Sequence, residues 1–148
     1  MARTRIRTAA SPERVFAVLT DAEAYPDWVV GAKQVRAVDK GWPAPGAAFH
    51  HSVGAGAAKL DDSTSVVEFD PPRRLVLRGR ARPLGTMLIA LDLRRVDDDT
   101  EITITERAAA GPPSWLVGPA AWLMDALIHL RNVESLRRLR RLAEANAT

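Results

Sequence analysis

Thr86-Met87-Leu88-Ile89-Ala90-Leu91-Asp92-Leu93-Arg94-Arg95-Val96, then Asp97-Asp98-Asp99, then Thr100 and Glu101-Ile102-Thr103-Ile104-Thr105-Glu106-Arg107-Ala108: this run decides the fold of the 148-residue chain. In an extended backbone alternate side chains share a face, so Met87, Ile89, Leu91 and Leu93 form one side of a strand over Thr86–Val96. Ile102, Ile104, Glu106 and Ala108 form the matching side of a strand over Glu101–Ala108. The aspartates between them read as a tight turn, which makes the pair antiparallel. One face is apolar and the other is wet, so the sheet needs a cover.

Upstream, the same period of two continues back to Val35. The expected strands are Val35–Lys40, Ala48–Val53, Thr64–Phe69 and Arg74–Arg82. Turn signals separate them at Trp42-Pro43-Ala44-Pro45-Gly46, Asp70-Pro71-Pro72 and Arg82-Pro83-Leu84-Gly85. In Arg74–Arg82 the inward set is Leu75, Leu77, Gly79 and Ala81, with the arginines outward. Every connection is short and no strand–helix–strand alternation occurs, which argues against a parallel sheet.

Downstream, Gly111-Pro112-Pro113-Ser114 ends the sheet, and the rest reads as one helix starting near Ser114 or Pro119 and reaching about Asn146. From Pro119 that is roughly 40 Å, enough to cross a whole sheet. Its first half, Trp115 to Leu130, is apolar almost all round. Its second half is amphipathic, with Val133, Leu136, Leu139 and Leu142 set against arginines. At the other end of the chain, Arg3–Thr8 alternates as a short strand. Ser11-Pro12-Glu13 then opens a helix: Ser11 caps the free N–H groups, Pro12 suits the first position and Glu13 faces the positive dipole end. That helix is expected to run to about Asp21, followed by a second short helix or turn over Ala22 to Val30 that Trp28 anchors.

Composition narrows the function. Hydrophobic residues at 47% and charged residues at 26% suit one soluble globular domain spanning residues 1–148. The absence of cysteine excludes disulfide and thiolate chemistry. The N-terminus shows no apolar signal segment, and Asp125 and His129 interrupt the most apolar stretch, so a cytoplasmic location is expected. Although the net charge is +3, acidic and basic residues are mixed, and the cluster Arg131, Arg137, Arg138, Arg140 and Arg141 reads as a solvated helix face rather than a nucleic-acid footprint. His50, His51 and His129 lack metal-ligand spacing, there is no glycine-rich phosphate loop, and no nucleophile elbow is present. No cofactor or metal is expected.

The order strand, two short helices, six strands, long helix resembles the START-like (SRPBCC) superfamily, the helix-grip fold of polyketide cyclases, aromatic-ring cyclases and lipid-transfer domains. Ser11-Pro12-Glu13-Arg14-Val15-Phe16 is similar to that family's first-helix opening, and Tyr25-Pro26-Asp27-Trp28 to its second. Pro45-Gly46, Val67-Glu68-Phe69-Asp70-Pro71-Pro72-Arg73-Arg74-Leu75 and Glu134-Ser135-Leu136-Arg137-Arg138-Leu139 fit its later junctions and closing helix. The resemblance implies an α+β helix-grip fold: a curved antiparallel sheet of about seven strands wrapped on the C-terminal helix, with a cavity between them. It implies little about what fills the cavity, because function lives in the site and not in the scaffold.

Candidate wall residues on the sheet are Phe49, Val53, Val67, Phe69, Leu77 and Met87, continued by Ile89, Leu91 and Ile104. The helix would add Trp122 and Ala126. The alternative is that all of these form a packed core. Four polar residues stand out. Glu106 shares a face with Ile102 and Ile104, and a carboxylate there is costly to leave ionised and unpaired. His51 shares a face with Phe49 and Val53, while His50 points to solvent. Asp125 and His129 are four apart on the helix, hence neighbours. Glu106, His51 and His129 would be the polar contacts of the cavity, with Asp125 orienting His129, a set that suits acid–base chemistry. The plainer alternative has Glu106 paired with an arginine at the strand end, His129 capping a seam and Asp125 facing water.

The expected function is therefore carriage or sensing of a small hydrophobic molecule: a polyketide, quinone or lipid-like compound. One rival is a polyketide cyclase or dehydratase using Glu106 with His51 or His129. Another is a partner-binding module acting through the apolar Trp115–Leu123 surface, whose alternatives are a gate opening transiently to a membrane, a homodimer contact, or core packing, the last favoured for Trp122 and not for Trp115. Nucleic acid is not an expected partner.

Overall fold

The deciding hairpin is present. In this computed structural model, which describes residues 2–55, 58–80, 86–108 and 119–145, strand β6 (Thr86–Val96) pairs antiparallel with β7 (Asp99–Ala108). Two residues make the turn, and Asp97 takes the left-handed conformation, φ 56°, which a short polar side chain tolerates.

Five more strands complete the sheet: β1 (Ala2–Thr8), β2 (Ala32–Val38), β3 (Ala48–Ala55), β4 (Ala58–Asp70) and β5 (Arg74–Arg80). The order across the sheet is β1-β7-β6-β5-β4-β3-β2, antiparallel at every step. Consecutive strands are neighbours except at the far edge, where β1 returns to pair with β7. Helices α1 (Pro12–Leu19) and α2 (Tyr25–Trp28) follow β1, with a 3-10 turn over Ala22–Ala24 between them. Helix α3 (Pro119–Ala145) lies against β1, α1 and α2. This is a helix-grip fold.

The local signals act as their chemistry requires. Ser11 accepts from the Arg14 N–H at 3.3 Å and Pro12 starts α1. The helix stops at Leu19, short of the expected Asp21, because the Thr20 hydroxyl turns back onto the Phe16 carbonyl and Asp21 caps the next turn instead. The core gathers Val15, Phe16, Leu19, Phe49, Leu75, Leu91, Ile102, Leu136 and Leu139.

Four expectations are corrected. Strand β2 runs Ala32–Val38, shifted toward the N-terminus from Val35–Lys40. β4 begins at Ala58, well before Thr64; the stretch from Ala58 to Asp62 lacks β-branched residues and carries two aspartates, so propensity hides it while pairing with β3 imposes it. Val67 is not inward. A register shift between Val66 and Glu68 inserts one extra residue, so Val66 is buried, Val67 is 42% exposed and Phe69 returns to the core against Phe16. Trp122, expected on a wall, is 74% exposed. The side chain of Val53, residue Ala81, the turn signals at 82–85 and 111–114, and Trp115 with its neighbours to 118 lie outside the described residues.

Candidate functional site

The inward residues of the sheet do not share one environment. On β6, Leu91 and Leu93 are buried, whereas Met87 and Ile89 on the same face stay half-exposed. Leu77, Phe49 and Ile104 lie fully buried beside them, and Phe69 partly so. The grip is thus closed near the β6–β7 turn and loosens toward the other end of the strands.

Helix α3 changes in step. Asn132, Leu136, Leu139 and Ala143 form a buried seam at heptad spacing. The same stripe continues toward the N-terminus as His129, Asp125 and Trp122, all exposed. Ala126, beside that stripe, is half-buried. On the opposite side, Leu123, Leu127 and Leu130 are exposed along the stripe that becomes Glu134, Arg137 and Arg141 in the second half.

Polar side chains collect where α3 crosses the sheet. Glu106, only 3% exposed, accepts from the Nη2 of Arg131 and, at 3.2 Å, from the Nδ2 of Asn132. Arg131 Nη2 also donates to Asn132 Oδ1 at 3.3 Å. The three side chains form a closed ring in which the guanidinium offsets the carboxylate, the arrangement a buried acid needs. The Nε of Arg131 is closed off from solvent and has no hydrogen-bond partner.

Across the concave face, β3 supplies His51 and β4 supplies Thr64, whose hydroxyl lies 2.9 Å from His51 Nε2. Burial pushes the imidazole below its ordinary value; Asp62 opposes this, and Arg36 and His50 add to it. The other ring nitrogen, Nδ1, is buried without a partner. The Tyr25 ring packs on Phe49 and His51, with centroids at 4.6 and 5.5 Å. Burial raises the Tyr25 phenol, with Arg131 and a hydrogen bond to Thr64 opposing and Glu106 adding, so it stays a neutral donor. Tyr25 therefore sits within electrostatic reach of both polar groups. Between them, the buried Gly79 on β5 has no side chain, and a Cβ there would meet Ile89 Cδ1 and Thr64 Oγ1 at ordinary contact distance, 3.6 Å.

The expected polar set is placed as follows. His51 and Glu106 are both buried on the concave side, bonded to different partners. His50 turns outward beside Asp39, 3.7 Å away. His129 is exposed, with its Nδ1 3.0 Å from the Thr4 hydroxyl on β1. Asp125 is exposed on the same helix. Sequence reading missed Tyr25, Thr64, Arg131 and Asn132. A usable signal existed for Asn132: it falls on the stripe of Leu136 and Leu139, where a polar residue needs a buried partner.

The sequence profile of the family described as polyketide cyclase / dehydrase and lipid transport matches residues 2–144. No curated protein matches the chain. Among solved structures, a Thermus thermophilus protein aligns with a TM-score of 0.76 at 16% identity, over 99% of this chain and 99% of that one. A Nitrosomonas europaea protein gives 0.74 at 18% identity, over 99% and 96%. The di-domain ARO/CYC StfQ of the steffimycin biosynthetic pathway gives 0.75 at 13% identity, with 98% of this chain on 50% of that one. At such identities the likeness shows the fold. Among the described residues, no helix is long and apolar enough to cross a membrane.

Proposed function

The chain belongs to the polyketide cyclase/dehydrase and lipid transport family, and on that premise we propose that it holds a small hydrophobic molecule between the concave face of its sheet and α3, as a carrier or sensor. One observation carries this reading. Met87 and Ile89 are apolar and point toward the grip, yet they stay half-exposed while Leu91 and Leu93 on the same strand face are buried. An apolar surface left open inside the concave side of a protein is a place for an apolar guest.

The bonding of the polar groups supports carriage over acid–base chemistry. Glu106 is engaged by Arg131 and Asn132, His51 Nε2 by Thr64, and His129 by Thr4. A general base must reach its proton directly or through one water, and these three groups are each tied to a different strand or helix. One observation favours the cyclase or dehydratase alternative: the partnerless Nδ1 of His51. The exposed Leu123, Leu127 and Leu130 favour the surface-contact alternative. Sedimentation that shifts with concentration assigns that stripe to a second copy, and co-pelleting with liposomes without such a shift assigns it to a membrane.

Native mass spectrometry of freshly purified protein, set against the denatured mass, tests carriage. A retained small molecule is the expected result. An empty mass, together with no uptake of an added naphthalene-based probe, overturns it.

A further inference from the structure

Arg131 and Glu106 form, with Asn132, a polar ring where α3 crosses the concave face, and the two charged partners are unequal. Glu106 has both oxygens engaged, one by Arg131 and one by Asn132. Arg131 uses only Nη2 for Glu106 and Asn132. Its Nε–H is closed to solvent and has no acceptor. A buried donor without an acceptor carries a desolvation cost that an arriving oxygen would relieve. Tyr25, a second donor, lies within electrostatic reach of the same guanidinium, and Gly79 puts no side chain on the floor beside Thr64 and Ile89.

The charge balance decides which oxygen suits the place. Arg131 and Glu106 together are neutral, so a carboxylate or phosphate would bring an uncompensated charge into a site whose cation is already matched. A ketone or quinone carbonyl needs only a donor, and Arg131 has one to give.

Resting on the ligand-binding reading above, we propose that Glu106 is a specificity-determining residue: by matching Arg131, it makes the grip accept the uncharged carbonyl oxygen of an otherwise apolar ligand and reject anions of the same shape. Arg131 makes the contact, and Glu106 acts through it.

Three probes of nearly identical shape separate the possibilities: 2-ethylnaphthalene, 2-acetylnaphthalene and 2-naphthoate. Binding is followed by calorimetry at neutral pH with wild type, Glu106→Gln and Arg131→Gln. In wild type, 2-acetylnaphthalene should bind about tenfold more tightly than either of the others, which corresponds to about 1.4 kcal/mol. Glu106→Gln should invert the order of ketone and carboxylate, because the Arg131 charge is then unmatched. Arg131→Gln should make the acetyl and ethyl compounds equal, which keeps the idea testable if Glu106→Gln folds poorly. If the ethyl compound binds wild type but the carboxylate binds at least as tightly as the ketone, the specificity proposal falls while the ligand-binding reading stands. An unchanged order in Glu106→Gln, with Arg131→Gln also unchanged, overturns it too. If no probe binds wild type, both fall together.

Discussion

In the C-terminal half of α3, the positions of Asn132, Leu136, Leu139 and Ala143 are closed to solvent; one or two heptads earlier the same positions hold Trp122, Asp125 and His129, all exposed. The outward stripe inverts the other way, from Glu134, Arg137 and Arg141 to Leu123, Leu127 and Leu130. The sheet beneath repeats the division, with Leu91 and Leu93 buried and Met87 and Ile89 half-open. One end of the molecule uses apolar side chains to hold itself together. The other end keeps apolar side chains that are exposed or only partly buried, Ile89 at the margin of the core among them, and on the proposed reading these meet a guest. Glu106, Arg131 and Asn132 mark the border between the two.

The largest effects should fall on the closed half. Leu136→Ala and Leu139→Ala each remove a fully buried side chain and should cost about 2–5 kcal/mol of unfolding free energy in a urea titration. Leu127→Ala, about two and a half to three turns away on the open half, should stay within about 0.5 kcal/mol. Comparable losses at Leu127 and Leu136 would erase the division between the halves.

At the border, Glu106→Gln should destabilise by about 1–3 kcal/mol, since Arg131 loses the partner for its charge. Arg131 is 39% exposed and can still reach water, which keeps the loss below that of a wholly buried ion pair. Chemical denaturation at neutral pH measures it, and a change near zero would mean that the ring belongs to the open half after all.

Beside the open half, Gly79→Ala should leave the melting temperature almost unchanged, because its Cβ would meet Ile89 Cδ1 and Thr64 Oγ1 at ordinary contact distance, 3.6 Å, whereas Gly79→Leu should weaken binding of a naphthalene-based probe about tenfold by filling the grip beside them. Weakened folding without weakened binding would show that the space is core.

Much of this division is legible in the sequence, and the illegible parts share a cause. Alternation in Thr86–Val96 gives the correct inward set, and Ser11-Pro12 gives the start of α1, because both depend on neighbours a few residues away. The change from an all-round apolar to an amphipathic helix is visible too. Which half is buried is not, because burial depends on where α3 crosses the sheet. For the same reason Arg131 reads as one of a cluster of solvated arginines, although a few ångströms of helix placement make it the partner of Glu106. Val67 fails differently: strict alternation carried back from Phe69 passes through a bulge, and one inserted residue reverses every face before it. Tyr25, read only as part of a short helix or turn ahead of Trp28, gains its role at the site from Phe49, His51 and Thr64, all distant in sequence.

The smallest expected effect concerns His51, on the closed floor beside Phe49 and Tyr25. Burial holds its folded-state value below the unfolded one, near 6.5, so between the two values the unfolded chain binds more protons. Stability contributed by the neutral ring is therefore present above the unfolded value and is lost as pH falls toward the folded one. Urea titrations at several pH values from neutral down through this window should show stability falling in wild type, and falling less in His51→Gln. The variant keeps a group able to bond Thr64, so the comparison isolates the proton and not the packing. An equal slope in both proteins would mean that water reaches His51 in the folded state. The open end of the grip would then extend across the sheet to β3, and the border drawn at Glu106 would have to move.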